Sequence, residues 1–298
     1  MKVLVLGATG FIGSSVADAL VRAGHQVIGQ TRNSLQCAKK LESREIEVLQ
    51  SDPFSDDKWT SILGSIDAVV DCLGGSAPID KENINIIRKA EQAERHPTAS
   101  KLVYIWTSGV WLHGDDRWEI VTDGTEATRA PGKVSWRPEV ENIIVSSKAI
   151  DGIVIRPGLV YGRSGSVPGM LFSQAVTDKK IEWPGEPGGR YATVHVDDLG
   201  ELYRLAVEKH PLVKHLKLEG SNFATESVDL FLSRVAELAG LDSYSYKTPV
   251  SPFEIALSGT SIVRGTLARS ILGWQPVKPS LIDGLQVYYR SSLANWQN

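Results

Sequence analysis

Only two cysteines, Cys37 and Cys72, occur in 298 residues, too few for a disulfide framework, so a reducing compartment is the simpler expectation. No apolar run is long enough to cross a bilayer. Basic charge is not in excess: the formal net charge is −3 and no polybasic segment is present, which argues against nucleic acid or an anionic membrane as partner. No signal or transit segment precedes the first apolar run, and a cytoplasmic protein is expected. Internal repeats and low-complexity linkers are absent too, and no metal-ligand set is assigned. What remains is a chain with 42% hydrophobic residues, long enough for one large domain or two lobes.

The stretch that organises the chain stands at its start. Val3-Leu4-Val5-Leu6 reads as a buried parallel strand running into Gly7-Ala8-Thr9-Gly10-Phe11-Ile12-Gly13, with glycines three apart ahead of an alanine- and valine-rich helix. One glycine lets the chain reverse, one lets the backbone approach a pyrophosphate, and one lets the helix pack on the strand. Amide groups from about Phe11 onward then face the anion, and the helix dipole favours its charge. The helix spans Phe11 to Arg22, closes with Gly24, and leads at once into a second apolar strand, Gln26-Val27-Ile28-Gly29. A strand–helix–strand unit around this turn predicts a dinucleotide site.

Strand-like and helical patterns alternate through the first 160 residues, which predicts an α/β fold with a doubly wound parallel sheet. Further strands are expected at Ile46 to Leu49, Asp67 to Leu73, Leu102 to Trp106 and Gly152 to Arg156. Helices are expected from Glu82 to Glu94, from Arg137 to Ser147 with Pro138 in the first turn, and from Val228 to Ala239 ahead of Gly240. A polar loop runs from Gly114 to Gly132, and the proline- and glycine-rich stretch from Trp183 to Gly189 reads as a connection between lobes. Residues 1–160 are assigned to the dinucleotide-binding domain and 161–298 to a smaller α+β substrate lobe, with about 193–223 returning to the first.

Five motifs, in order, make the chain resemble the extended and atypical short-chain dehydrogenase/reductase family, which includes sugar-nucleotide epimerases and dihydroflavonol-type reductases. They are the glycine turn, Asp52 where the family places an acid near adenine, and Arg156-Pro157-Gly158-Leu159-Val160-Tyr161-Gly162. Val194-His195-Val196-Asp197-Asp198-Leu199 and Leu272-Gly273-Trp274-Gln275-Pro276, followed by Ser280-Leu281, complete the set. The resemblance implies cofactor contacts at Gly7, Thr9, Gly10, Phe11, Ile12 and Gly13, and at Asp52 and Pro53. It implies others beyond the strand ends, at Leu73, Gly74 and Thr107, and at Pro157, Gly158 and Leu159.

The family's hydride chemistry uses a serine and a Tyr-x-x-x-Lys pair, and here the pair is missing. Ser108 matches the serine, but Trp136 stands 28 positions past it where the tyrosine belongs, with Val140 in place of the lysine. Indole does not give up a proton near neutral pH and valine carries no donor. Ser108 and His113 are therefore the candidate catalytic residues, with Tyr161 and His195 as further candidate acids; each also has an ordinary structural reading as a hydrogen-bonding residue.

For the cofactor, Gln30-Thr31-Arg32-Asn33-Ser34 brings no carboxylate before Glu42, so a 2′-phosphate would meet Arg32 and the hydroxyls of Thr31 or Ser34. NADP(H) is expected over NAD(H). Trp106, Trp111, Trp118 and Trp136 cluster in sequence around the fifth strand, and Trp111, Trp136 and Tyr161 are expected to line an apolar or aromatic substrate pocket. Cations for a nucleotide-sugar diphosphate are sparse, Arg163 and Arg190 being the candidates. The expected function is an NADPH-dependent oxidoreductase on a small carbonyl compound. The alternatives are a non-catalytic NADP(H) sensor, similar to the family's NmrA-like members, and a sugar-nucleotide epimerase or dehydratase. A homodimer is compatible with the family resemblance.

Overall fold

The computed structural model describes residues 1–32, 35–75, 77–163 and 165–296. The chain opens with β1 (Lys2–Leu6), α1 (Phe11–Arg22), β2 (Gln26–Thr31), α2 (Leu35–Glu42) and β3 (Glu47–Gln50). A short α3 (Lys58–Ser61), β4 (Ala68–Asp71), α4 (Ile79–Glu91) and β5 (Val103–Thr107) follow. Next come β6 (Asp116–Val121), α5 (Arg137–Ser146), β7 (Asp151–Pro157), β8 (Leu159–Tyr161) and α6 (Val167–Thr177). After β9 (Glu182–Pro184) and β10 (Arg190–His195) lie α7 (Val196–Glu208), α8 (His210–Val213), β11 (Lys217–Gly220) and β12 (Thr225–Ser227). The last elements are α9 (Val228–Ala239), β13 (Ser245–Lys247), α10 (Pro252–Ser258), β14 (Ser261–Val263), α11 (Leu267–Ser270) and α12 (Leu285–Trp296).

Seven strands form one parallel sheet in the order β11-β7-β5-β4-β1-β2-β3. The apolar run that begins the chain supplies its middle: Val3, Leu4, Val5 and Leu6 are all fully buried because helices cover both faces of β1. Winding proceeds outward from β1 in both directions, so the switch point lies between β1 and β4. On one face α7 crosses α1 closely, and a Cβ on Gly200 would stand 2.8 Å from the Ser15 carbonyl oxygen. The first helix keeps the bounds that its apolar spacing predicts.

A second core gathers under β8, β10 and β12, which form a three-stranded sheet, with α6, α9 and α12 against it. Phe172 meets Tyr289 and Phe231 with ring centroids 5.3 and 6.2 Å apart, and Trp183 packs on Phe231 at 6.2 Å. Local sequence stops and starts the helices here. Ser166 and Ser227 cap α6 and α9 by accepting from the amides of Gly169 and Leu230, and Gly240 ends α9 in the left-handed region at φ +69°.

Three segments differ from the sequence expectation. The polar loop between Gly114 and Gly132 contains a strand, β6, which pairs with β14 more than a hundred residues later; its alternation is masked by Arg117, Trp118 and Glu119. The stretch from Trp183 to Gly189 is not a connection between lobes: Trp183 belongs to β9, which pairs with β13, and its ring is buried in the second core. Helix α4 starts at Ile79, three residues before the expected Glu82, and already ends at Glu91, so Pro97 does not stop it.

The closeness of α1 and α7 makes a direct test. Gly200→Ala should destabilise the fold by about 1–3 kcal/mol, the usual range for overpacking a dense contact. Denaturant unfolding measures it, and an unchanged midpoint would show that the two helices can separate at little cost.

Candidate functional site

The glycine turn is shaped by contacts that exclude side chains. Gly7 sits at φ +73°, and a Cβ there would come 2.9 Å from the Cys72 carbonyl oxygen; at Gly13 it would fall 2.2 Å from the Gly7 oxygen. The Gly10 amide donates to the Gly7 carbonyl at 2.9 Å and closes the turn. Gly10 then begins α1 with no side-chain cap and no acidic residue in the first turn, so its amide end stays open to an anion. Gln30 holds the turn from behind: its Oε1 accepts from Gly7 N at 2.9 Å while its amide nitrogen donates to the Ser51 carbonyl. These features fit a dinucleotide diphosphate, with Phe11, Ile12 and Gly13 offering the first-turn amides.

Beside α1, at the carboxyl edge of the sheet, opens a cavity of about 710 Å³. Phe11 and Ile12 line one end; Ser108, Trp111, Trp136 and Phe253 line another, and Pro157, Gly158 and Leu159 lie along it. Trp111 meets Phe253 edge-on at 5.7 Å. Ser108 is buried, lines the cavity, and its Oγ has no hydrogen-bond partner among the described residues. Trp136 donates its indole N–H to the Lys133 carbonyl and rests edge-on to Trp106 at 6.0 Å. Arg137 carries its guanidinium over both rings, 4.8 Å from Trp136 and 5.5 Å from Trp106, and donates to the Thr107 carbonyl at 3.2 Å. Burial lowers its pKa to about 10, which leaves it charged at neutral pH.

The expected residues divide into those at the cavity and those elsewhere. Phe11, Ile12, Ser108, Trp111, Trp136, Pro157, Gly158 and Leu159 line it; Gly7, Thr9, Gly10 and Gly13 form the turn beside it. Leu73 and Gly74 precede the cavity-lining Gly75, and Thr107 precedes Ser108, but the Thr107 hydroxyl is committed to the Asp71 carbonyl and Tyr203. Thr31 closes β2 and is buried, and Arg32 follows it, exposed; Asn33 and Ser34 lie outside the described residues. Asp52 accepts from the Phe54 amide in a local turn, and Pro53 lies next to it. Trp118 is 90% exposed and Trp106 buried, so neither lines the cavity.

Three candidate acids are structural. His113 is buried and donates from Nε2 to Glu219 at 2.8 Å, away from the cavity lining, so it is not placed to protonate a ligand there. Tyr161 is fully buried, donates to the Pro279 carbonyl and meets His195 and Tyr288 edge-on; it is a core residue, not part of the substrate pocket. His195 accepts from the Asp197 amide through Nδ1 and caps α7, while burial lowers its pKa and keeps it neutral for that role. Val140, at the lysine position, points into the core between β5 and α5. Trp136 precedes the helix as its cap residue, so the two positions do not share the cavity.

Arg137 escaped the sequence reading, which measured this region only against the missing tyrosine. A signal was present: a cation in the first turn of a helix faces the unfavourable end of the helix dipole. Arg163 and Arg190, by contrast, are engaged. Arg163 pairs with Asp197 at 2.8 Å, and Arg190 bonds Thr225.

Asp71 ends β4 and is buried. Burial pushes its carboxyl up to about 6 from 3.8, although the Leu73 amide and the Tyr104 hydroxyl both bond it. Between roughly pH 4 and 6 the folded protein therefore holds a proton that the unfolded chain has released, so stability falls as pH rises through that window and is level above it. Asp71→Asn should gain melting temperature relative to the parent across that window and hold a constant difference above it. A difference independent of pH would refute the burial account.

A doubly wound parallel sheet with an open glycine turn at its switch point defines a Rossmann dinucleotide-binding protein. The family described as NAD(P)H-binding matches residues 7–164, and the chain belongs to it. An uncharacterised Saccharomyces cerevisiae protein, YLL056C, is 26% identical over 97% of this chain and 99% of its own length. Among solved structures, a dTDP-glucose 4,6-dehydratase from Bacillus anthracis in complex with NAD superposes with a TM-score of 0.80 at 14% identity, over 100% of this chain and 98% of its own. A UDP-glucuronic acid 4-epimerase from Bacillus cereus, in complex with UDP-glucuronic acid and NAD, gives 0.77 at 21% identity, over 99% and 100%. The chain thus shares its fold with these NAD-complexed dehydratase and epimerase structures.

Proposed function

We propose that the protein is an NADP(H)-preferring oxidoreductase acting on a small apolar or aromatic carbonyl compound. The observation that carries this reading is the Ser108 hydroxyl, buried and unpartnered in a cavity walled by Trp111, Trp136 and Phe253 and continuous with the amide end of α1. A buried hydroxyl without a partner carries a desolvation cost that a ligand oxygen would relieve. The turn amides of Phe11, Ile12 and Gly13 would hold the cofactor diphosphate, and the bound cofactor would supply the hydride that reduces the carbonyl carbon. Ser108 then donates a hydrogen bond to the carbonyl oxygen and orients it, and the aromatic walls hold the apolar body of the substrate. With no tyrosine or lysine at positions 136 and 140, the proton that completes the alcohol comes from water in the cavity mouth.

The NADP(H) preference rests on exposed Arg32 just after β2 and on the inward turn of Gln30, which leaves no carboxylate there to repel a 2′-phosphate. The engagement of Arg163 and Arg190 weighs against sugar-nucleotide chemistry. The loss of the tyrosine and lysine keeps one second reading in view, a cofactor-binding sensor without turnover.

Two measurements test the proposal. NADPH should bind at least about tenfold more tightly than NADH, and Arg32→Ala should remove most of that difference while leaving NADH unchanged; equal binding of the two by the parent protein would overturn the preference. NADPH oxidation with a panel of aromatic aldehydes, ketones and enones should show turnover that Ser108→Ala lowers by about 10–100-fold. Tight NADPH binding with no turnover on any of them would favour the sensor.

A further inference from the structure

Arg137 is a charged residue of the cavity wall that a neutral carbonyl substrate leaves unexplained. It is half-buried at the cavity wall, and among the described residues no carboxylate lies within ion-pair distance of it. Among the described residues its one hydrogen bond goes to the Thr107 carbonyl, so most of its five N–H donors have no acceptor there. The two tryptophans stabilise the cation and hold the guanidinium plane without neutralising it. It also stands in the first turn of α5, a ten-residue helix whose dipole raises the positive potential at that spot. A cation kept partly dry, unpaired and at the positive end of a helix is costly unless an anion joins it.

Other charges near the cavity do not supply that anion. Asp80 lines it but is exposed and forms no ion pair with Arg137; Glu141 and Asp71 act on the guanidinium at longer range, but Glu141 is committed to Arg156 and Asp71 is bonded to Leu73 and Tyr104. The diphosphate of the cofactor belongs to the other end, at α1, which has its own open amides. Ser108 lies next to Thr107, the residue whose carbonyl Arg137 touches, so the orphan hydroxyl and the unpaired cation share one stretch of wall.

We infer that Arg137 is an anion subsite of the substrate pocket and that the substrate carries a carboxylate beside its apolar or aromatic body. The inference rests on the reading of this cavity as the substrate site next to NADP(H), and it narrows the substrate class to carboxylate-bearing carbonyl compounds. A planar carboxylate matches the guanidinium fork in a bidentate pair, and the faces of Trp136 and Trp106 set the plane in which it docks.

The test uses the intact protein saturated with NADPH and paired probes that differ only in charge: benzoate against benzamide, and phenylacetate against phenylacetamide. Binding is read from calorimetry and from the fluorescence of the cavity tryptophans. Each acid should bind about tenfold or more tightly than its amide, and Arg137→Gln should abolish the difference with little change in amide affinity. Lys133→Gln, which removes the other cation of the wall, should leave the preference in place. If acid and amide bind equally to the NADPH-loaded parent, or if the preference survives Arg137→Gln, or if it disappears with Lys133→Gln, the inference fails. Absence of NADPH binding would instead strike at the functional proposal itself, and that result is obtained before any probe is added. Since the acid–amide comparison is made on the parent protein, the inference can fail even where Arg137→Gln does not fold.

Discussion

The structure depends on an approach too close for any side chain, that of α1 over the end of β1. With the Gly7 carbonyl 2.2 Å from where a Gly13 Cβ would stand, the helix can descend onto the strand only at glycine, and its amide end is thereby aimed at the sheet's carboxyl edge. The consequences spread outward. Gly200 lets α7 come down onto α1, the chain after β10 returns to the sheet through α7 and β11, and the cavity forms where these elements leave the switch point uncovered. Gln30 joins the same system from β2, bonding both Gly7 and Ser51, and so spends on architecture a side chain that stands near the position where many dinucleotide sites keep an acid.

Around this fixed frame the cavity wall departs from the family's Tyr-x-x-x-Lys pattern. Tyrosine and lysine normally act as a pair because one helical face presents both, and that condition has lapsed: Trp136 precedes α5 and lines the cavity, whereas Val140 is inside the helix and buried in the core. A lysine at 140 would be pressed into apolar surroundings, so restoring the sequence motif would not restore the site. In its place the wall has an indole, a hydroxyl without a partner and a guanidinium held over two rings. That set is suited to hydrogen bonding and charge recognition. It has no group with a pKa near neutrality to exchange a proton, which is why the proposed chemistry draws on water.

What the sequence made legible was local. The apolar strand, the glycine spacing and the bounds of α1 depend on contacts within about thirty residues, and so does the end of α9 at Gly240. Residues whose roles depend on distant partners were misread. His113 looks like an acid near a ligand until Glu219 is seen to take its proton in a hydrogen bond, and Trp183 looks like part of a linker until Phe231 packs against it. Tyr161 belongs to a motif that lies at the cavity through Pro157, Gly158 and Leu159, but its own ring is packed in the core against His195 and Tyr288 and its hydroxyl is committed to the Pro279 carbonyl. Ser108 was legible because a strand end places it, and Arg137 was not, because its meaning is in the absence of a partner.

The buried charges explain how that wall keeps its shape. Arg156, near the end of β7, does not face the cavity: Glu141 of α5 grips its guanidinium through two oxygens, and Glu219 of β11 takes another N–H at 2.9 Å. Burial alone would lower the Arg156 pKa, but these two carboxylates hold it above its ordinary value. His113 adds a donor to Glu219, and Asp123 receives the Glu219 amide, so the turn after β5, the segment after β6, helix α5 and two strands meet in one network. Such a set contributes little net stability, because desolvation offsets most of the attraction, but losing one member strands the others. Its effect is therefore geometric: α5 is clamped by Glu141 one turn beyond Arg137, and the cation at the cavity wall is held in place by charges that do not themselves line the cavity.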